Sequence, residues 1–160
     1  MLGRFLSRKT DASELIGSKL LNEDTFYPVL MKDLNNCGNE LIIESPFITS
    51  RRLSQFLPML QKLKQRKVRI IINTRDPHEH DDERRRDEAH RAVAKLQREG
   101  IQVLYTGSHH RKLVILDRTI LYEGSLNVLS QNDSCEIMRR VESTKLAWDL
   151  IGFIKLDSYL

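Results

Sequence analysis

The chain has 160 residues, 40% of them hydrophobic and 30% charged, a balance that fits one globular domain with a buried core and excludes a disordered chain or two ordinary domains. No apolar run is long enough to span a bilayer, and the basic stretch over residues 1–9 lacks the apolar segment of a secretory signal. The net charge of +4 favours a polyanionic partner without establishing one.

Residues 1–23 read as a peripheral N-terminal segment. Asp24 is placed to cap a helix with Pro28 in its first turn and Phe26, Val29, Leu30 and Leu34 on one apolar side, ending before Cys37-Gly38. The apolar run 40–48 reads as a strand whose ladder Ser45-Pro46 breaks, leaving Ser45 and Phe47 near its C-terminal end. Thr49 or Ser50 then caps a helix carrying Leu53, Phe56, Leu57, Leu60 and Leu63, with a kink or restart at Pro58. A second strand follows over 68–73. The charge-dense stretch 74–91 is a loop entering a helix with Ala89, Ala92, Val93 and Leu96, closed by Gly100, and 101–105 is a third strand. The last helix begins at Glu142-Ser143-Thr144, with Leu146, Leu150, Phe153 and Ile154 as its buried stripe. Strands alternating with helices predict one α/β domain over 1–160, with a mixed, largely parallel sheet flanked by helices on both faces.

Between the third strand and the last helix lies the pattern that carries chemistry. His110-Arg-Lys112 is followed by four apolar residues, Asp117, and then Gly124-Ser125-Leu126-Asn127. With 110–116 and 120–123 as strands joined by a two-residue loop, Arg118-Thr119, Asp117 falls opposite Ile120, Lys112 opposite Ser125, and His110 opposite Asn127. Opposed residues share a face, so His110, Lys112, Ser125 and Asn127 are expected as one polar quartet suited to a phosphodiester. Parity turns Asp117 away from it, toward a structural role at the turn, and Gly124 suits a close backbone approach.

H-x-K, four residues, D, six residues, G-S-x-N, with Glu136 downstream, resembles the HKD signature of the phospholipase D superfamily. The resemblance implies a sandwich fold of the same α/β class. It also implies an active site of two such motifs, in which one histidine attacks phosphorus and the other protonates the leaving oxygen. This sequence has one motif, so the resemblance implies a homodimer, each copy giving His110, Lys112 and Asn127 to a shared site. Lys112 is then expected to neutralise phosphoryl oxygens, Ser125 and Asn127 to position them, and Glu136 to orient the catalytic histidine, with no metal or other cofactor required. Small single-motif members are mostly nucleases, and the run from Gly124 to Arg140 resembles domains attached to nucleic-acid enzymes. The expected activity is thus cleavage of DNA or RNA through a phosphohistidine intermediate, alone or within a larger nucleic-acid-processing complex. The alternatives are a phospholipid phosphodiesterase and a noncatalytic nucleic-acid-binding module.

Other candidates are weaker in chemistry. His78, His80, Asp81, Asp82 and Glu83 are ligand types, but competing arginines and the lack of a regular spacing favour a solvated loop over a metal site. Arg75 and Arg84 to Arg86 are expected to border a substrate groove, with Ser45 near it. Glu44 and Glu136 could form an acid and base pair, though nothing fixes them near each other. His109 alternates to the face opposite His110, and His90 reads as a surface residue. Cys37 and Cys135 have neither zinc nor disulfide spacing, so a reducing cytoplasm, away from membranes, is the expected setting.

Overall fold

The computed structural model describes residues 17–130 and 133–159, so the reading of residues 1–9 and most of the N-terminal segment lie outside it. In chain order the elements are β1 (Ser18–Asn22), α1 (Glu23–Asn36), β2 (Glu40–Glu44), α2 (Ser50–Gln65), β3 (Arg69–Thr74), α3 (Glu83–Arg98), β4 (Gln102–Tyr105), β5 (Leu113–Leu116), β6 (Ile120–Gly124), β7 (Ile137–Glu142) and α4 (Thr144–Ile154). One-turn 3-10 helices occupy Pro77–Glu79 and Asp157–Tyr159.

Among the described residues all seven strands join one sheet, in the order β1-β7-β6-β5-β2-β3-β4. The expected α/β class, mixed sheet and helices on both faces are what form. Parallel pairing, expected to dominate, is confined to β2-β3-β4, where α2 and α3 make the crossovers. The other neighbours are antiparallel because β5 to β7 run as a meander without intervening helices, and β1 adds to β7 at the edge.

The apolar runs of β2, β3 and β5 are buried along nearly their whole length, as strands covered on both faces must be. On one face Leu41, Ile43, Ile70, Ile72, Val114 and Tyr122 pack against Phe26, Leu30 and Leu34 of α1, Leu53, Phe56, Leu60 and Leu63 of α2, and Leu96 of α3. On the other, Ile42, Ile71, Ile115 and Leu121 meet Ala147, Ile151 and Ile154 of α4. Each fully buried leucine or isoleucine contributes roughly 1.5–3 kcal/mol. Two layers on a central strand therefore hold its ends in place.

Four local readings change. Asn22, not Asp24, caps α1: its side chain accepts from Thr25 N (3.1 Å) while Thr25 Oγ1 accepts from Asn22 N (3.0 Å), a reciprocal box that starts the helix earlier and leaves Pro28 inside it. Residues 18–22 are not peripheral but form the edge strand β1. The strand read as 40–48 ends at Glu44. The buried stripe of α4 is Ala147, Ile151 and Ile154, while Leu146 and Phe153 are 47% and 79% exposed. One residue of helix is a rotation of about 100°, enough to turn a misphased stripe away from the sheet. Thr49 caps α2 as expected, and Pro58 is accommodated within it.

Candidate active site

The turn between β5 and β6 decides the geometry. Asp117 and Arg118 both have left-handed backbones (φ 49° and 53°), Thr119 N donates to Leu116 O (3.0 Å), and Leu116 pairs with Ile120. The loop is thus three residues long, not two. Leu113 pairs with Glu123, which puts Lys112 level with Gly124 and His110 level with Leu126, one residue off the expected register. The reason is remote in sequence. The Asp117 carboxylate accepts from Gly38 N (2.9 Å), Asn39 N (2.7 Å) and Glu40 N (2.9 Å), so the residue leaves the ladder to fill this nest at the end of α1. Burial raises the Asp117 pKa, but the three backbone donors outweigh it and the net shift is downward. Its place is structural, at the far end of β5.

The expected residues nevertheless meet, for a different reason than cross-strand pairing. β5 begins only at Leu113 and β6 ends at Gly124, so the segments that enter and leave them are free of the ladder. His110, Lys112, Gly124, Ser125, Asn127 and Glu136 line one open cleft of about 690 Å³, joined by Arg111 and Glu123. It lies beyond the start of β5 and the end of β6, at the edge of the sheet where β2 also ends, since Leu113 pairs with Glu44, and ligands in open α/β sheets usually sit outside the C-terminal strand ends.

His110 is exposed, whereas Lys112 is 8% exposed. The Lys112 ammonium lies 2.9 Å from His110 Nδ1 and 3.3 Å from Nε2, and donates to the His110 carbonyl at 2.6 Å. Burial lowers the Lys112 pKa; the Glu136 carboxylate works against that shift and Arg75 adds to it. Gly124 is required by contact: a Cβ there would lie 2.1 Å from Ile137 O and 2.9 Å from Met138 Cα. Ser125 closes the same junction, its N donating to Ile137 O (2.9 Å) and its Oγ accepting from Ile137 N (3.1 Å). Asn127 Oδ1 is buried without a hydrogen-bond partner among the described residues.

Glu136 reaches the cleft but is not hydrogen-bonded to His110 as the motif implied. Its carboxylate accepts from Ser134 Oγ (2.8 Å) and faces Lys112, while its backbone N donates to Glu23 Oε2 (3.0 Å). The His110 ring is held by Lys112 instead. Ser45 is also displaced from its expected role. It is fully buried, donates to Phe47 O (2.9 Å) and accepts from Leu129 N (3.1 Å), tying the end of β2 to the segment after Asn127. Arg75 does not line the cleft. It stands behind it, donating to His109 O (3.1 Å).

A buried polar group backs the site, and the sequence reading did not assemble it. Glu44, fully buried, receives Arg111 through two bonds (2.5 and 3.0 Å) and Asn73 Nδ2 at 2.7 Å; Thr106 completes the chain. His109 lies beside them, 2% exposed and next to the Asn73 backbone, neither ring nitrogen making a well-formed hydrogen bond among the described residues. Burial lowers its pKa, and Arg111 and Lys112 add to that effect while Glu44 opposes it. The Glu44 carboxylate is therefore committed to Arg111 and Asn73 rather than to an acid and base pair with Glu136. The available signal was a glutamate ending an apolar strand, which demands a cation or donor when buried.

In the stretch 78–83, Asp82 caps α3 (2.8 Å to Arg84 N) and His78 meets the ring of His90 at 4.8 Å. His80 is not in a solvated loop: it is 6% exposed and packs on Phe47 at 5.5 Å. Among the described residues no helix is long and apolar enough to cross a membrane.

A family model described as cardiolipin synthase, PLD-like domain, matches residues 30–153. No curated protein matches the chain. Among solved structures the fold resembles Nuc from Salmonella typhimurium, a phospholipase D family member, with a TM-score of 0.67 and 15% identity over 85% of this chain and 90% of that one. NucT from Helicobacter pylori gives a TM-score of 0.61 and 16% identity over 86% and 92%. TrmBL2, an archaeal chromatin protein whose structure shows a novel mode of DNA binding, gives 0.57 and 10% over 89% and 52%. At these identities the likeness speaks to fold alone.

Proposed function

We propose that this chain, which belongs to the PLD-like domain family matched over residues 30–153, is a nucleic-acid phosphodiesterase whose active site is completed by a second copy of itself. The observation that carries the proposal is the gathering of His110, Lys112, Ser125 and Asn127 around one open cleft. An imidazole attacks phosphorus, and the phosphorus–oxygen bond to the leaving strand breaks as a phosphohistidine forms. The His110 of the second copy gives its proton to the departing oxygen, then takes a proton from the water that hydrolyses the intermediate. Lys112 from both copies neutralises the phosphoryl oxygens, and Ser125 and Asn127 position them. Glu136 acts through Lys112, keeping its ammonium charged. This scheme calls for no metal ion.

Nucleic acid is favoured over lipid by the net charge of +4 and by the nuclease-like names of the two structures whose lengths this chain nearly matches. The free thiols Cys37 and Cys135 suit a reducing cytoplasm. TrmBL2, a chromatin protein of related fold, supports the second reading, a module that binds DNA without cutting it.

The test incubates the purified chain with single- and double-stranded DNA and RNA, and with phospholipid vesicles, in chelator. Cleavage of nucleic acid that His110→Ala abolishes while circular dichroism stays unchanged supports the proposal. Binding without turnover supports the module, and vesicle-dependent headgroup release the lipid enzyme. Full activity in His110→Ala, or activity lost in chelator and restored by zinc, manganese or magnesium, overturns the mechanism.

A further inference from the structure

A second cavity, of about 320 Å³, lies between the segment after β2 and the start of α3, walled by Phe47, Thr49, His80, Arg85, Glu88 and Ser130. None of these belongs to the proposed catalytic set. We infer that this cavity receives an unpaired nucleobase of the strand being cut, from a nucleotide adjacent to the scissile phosphate, and so selects single-stranded nucleic acid. The inference rests on the nucleic-acid reading of the cleft.

The position is fixed by two links to the active site. Ser130 N donates to Asn127 O (3.1 Å), so the two cavities share the wall of one tight turn, whose ends lie within about 7 Å. On the other side the Arg75 guanidinium stands 5.2 Å from the centre of the Phe47 ring and donates to the carbonyl of His109, next to His110. These links place the opening next to the cleft, so that a strand with one phosphate at Lys112 would bring a neighbouring nucleotide to it.

The walls suit a base better than a lipid chain or a bare phosphate. Phe47 and His80 form a ring pair at 5.5 Å with planes tilted by 33°, and stacking on an aromatic ring tolerates any base. Burial first, then Arg75 and Arg85, lower the His80 pKa against the opposing pull of Glu79 and Asp81, which favours the neutral imidazole, a group with one donor and one acceptor. Glu88 is held in place by Ser50 N (2.7 Å) and supplies an acceptor for exocyclic amines. Arg85 is exposed at the rim, where its guanidinium can cover the free face of the entering base. A carboxylate and a guanidinium in the wall are poor company for an acyl chain. A base still paired in a duplex cannot enter, since the nucleotide must first be splayed from its stack.

The experiment measures binding to the His110→Ala chain by fluorescence anisotropy, using short single-stranded oligonucleotides with one abasic nucleotide moved along the strand. The expected result is a roughly tenfold loss of affinity at one position, with a matched duplex weaker by at least as much. In Phe47→Ala and, separately, Arg85→Gln, the abasic penalty at that position shrinks or disappears. Arg85→Gln alters an exposed side chain and keeps the test alive should Phe47→Ala unfold. In chains that keep His110, the ratio of kcat/KM for oligonucleotide to that for methyl 4-nitrophenyl phosphate, which has no base, falls about tenfold from the wild-type ratio with either substitution. A penalty that is absent, uniform along the strand, or undiminished in both variants overturns the base site. Turnover of vesicles but not of nucleic acid sinks the underlying reading instead, and the anisotropy arm judges the cavity separately.

Discussion

Replacing Asp117 separates a structural motif residue from a chemical one. Its carboxylate holds Gly38, Asn39 and Glu40 through three backbone donors at 2.7–2.9 Å. Hydrogen bonds to a charged group are worth about 1.5–3 kcal/mol each when intact, but two of these are at exposed positions where water replaces the lost acceptor. About 3 kcal/mol is then expected for Asp117→Ala, plus roughly 1 kcal/mol because alanine resists the φ of 49° that the turn requires. Asp117→Gly removes the carboxylate without that strain and should fall about 1 kcal/mol short of the alanine variant. Asp117→Asn keeps the oxygen that meets Asn39 and Glu40, tolerates the backbone, and should cost about half as much as alanine. In melting temperature the alanine loss corresponds to roughly 8–16 °C for a domain of this size. The Asp117 pKa is lowered in the fold. The advantage of wild type over Asp117→Asn is therefore fully present above the unfolded aspartate value of about 3.9, and is lost as pH falls through the lower folded value. Urea unfolding across pH measures it, alongside kcat per folded molecule, which should not change. An alanine variant of undiminished stability whose kcat falls a hundredfold would refute the structural assignment.

Gly124→Ala should cost about 3 kcal/mol, because its Cβ would meet backbone atoms of Ile137 and Met138 that cannot yield without parting β6 from β7; a variant that melts like wild type contradicts the close approach. Glu136→Gln removes the carboxylate that holds the Lys112 pKa up, so the alkaline limb of the pH–rate profile should move to lower pH, whereas an unmoved limb would assign Glu136 some other task. If a second copy completes the site, refolding equal amounts of wild-type and His110→Ala chains should leave about a quarter of the activity of the same total amount of wild type. Independent sites would leave about half, and an active monomer by light scattering would also end the shared-site model.

What the sequence made legible followed from local chemistry. The runs that became β2, β3 and β5 are apolar enough to identify by themselves, and Thr49 announces α2 because a cap is a contact within three residues. That His110, Lys112, Ser125 and Asn127 would come together was legible for a similar reason, since residue types at fixed spacing need no coordinates, whereas the places of Ser45 and Arg75 were not. Nor was the geometry of the site. The turn at Asp117 is shaped by amides 77–79 positions away, and without them a two-residue loop was the simpler choice. The Arg111 and Glu44 pair spans 67 positions, and the strand positions of β1 depend on β7, which the pattern did not reveal.

These long-range contacts explain the spacing of the motif. Leu113 to Leu116 form β5, which lies antiparallel to β2 with Leu113 against Glu44 and Leu116 against Leu41. At one end of this pair Asp117 fills the nest at Gly38, Asn39 and Glu40, and its own N donates to Glu40 O (2.9 Å). At the other end Arg111 is clamped to Glu44. The four apolar residues between Lys112 and Asp117 are thus the length of the strand between two polar anchors. Alternate residues enter opposite cores, Val114 and Leu116 on the side of α1, Leu113 and Ile115 on the side of α4, so a slip of one residue would exchange both sets at once. A shift by two would keep the faces but empty the nest and strand Glu44 in the interior without its cation, a cost of about 3–5 kcal/mol. The register is over-determined at both ends and on both faces. Lys112 and His110 inherit their positions from it, even though neither takes part in the ladder.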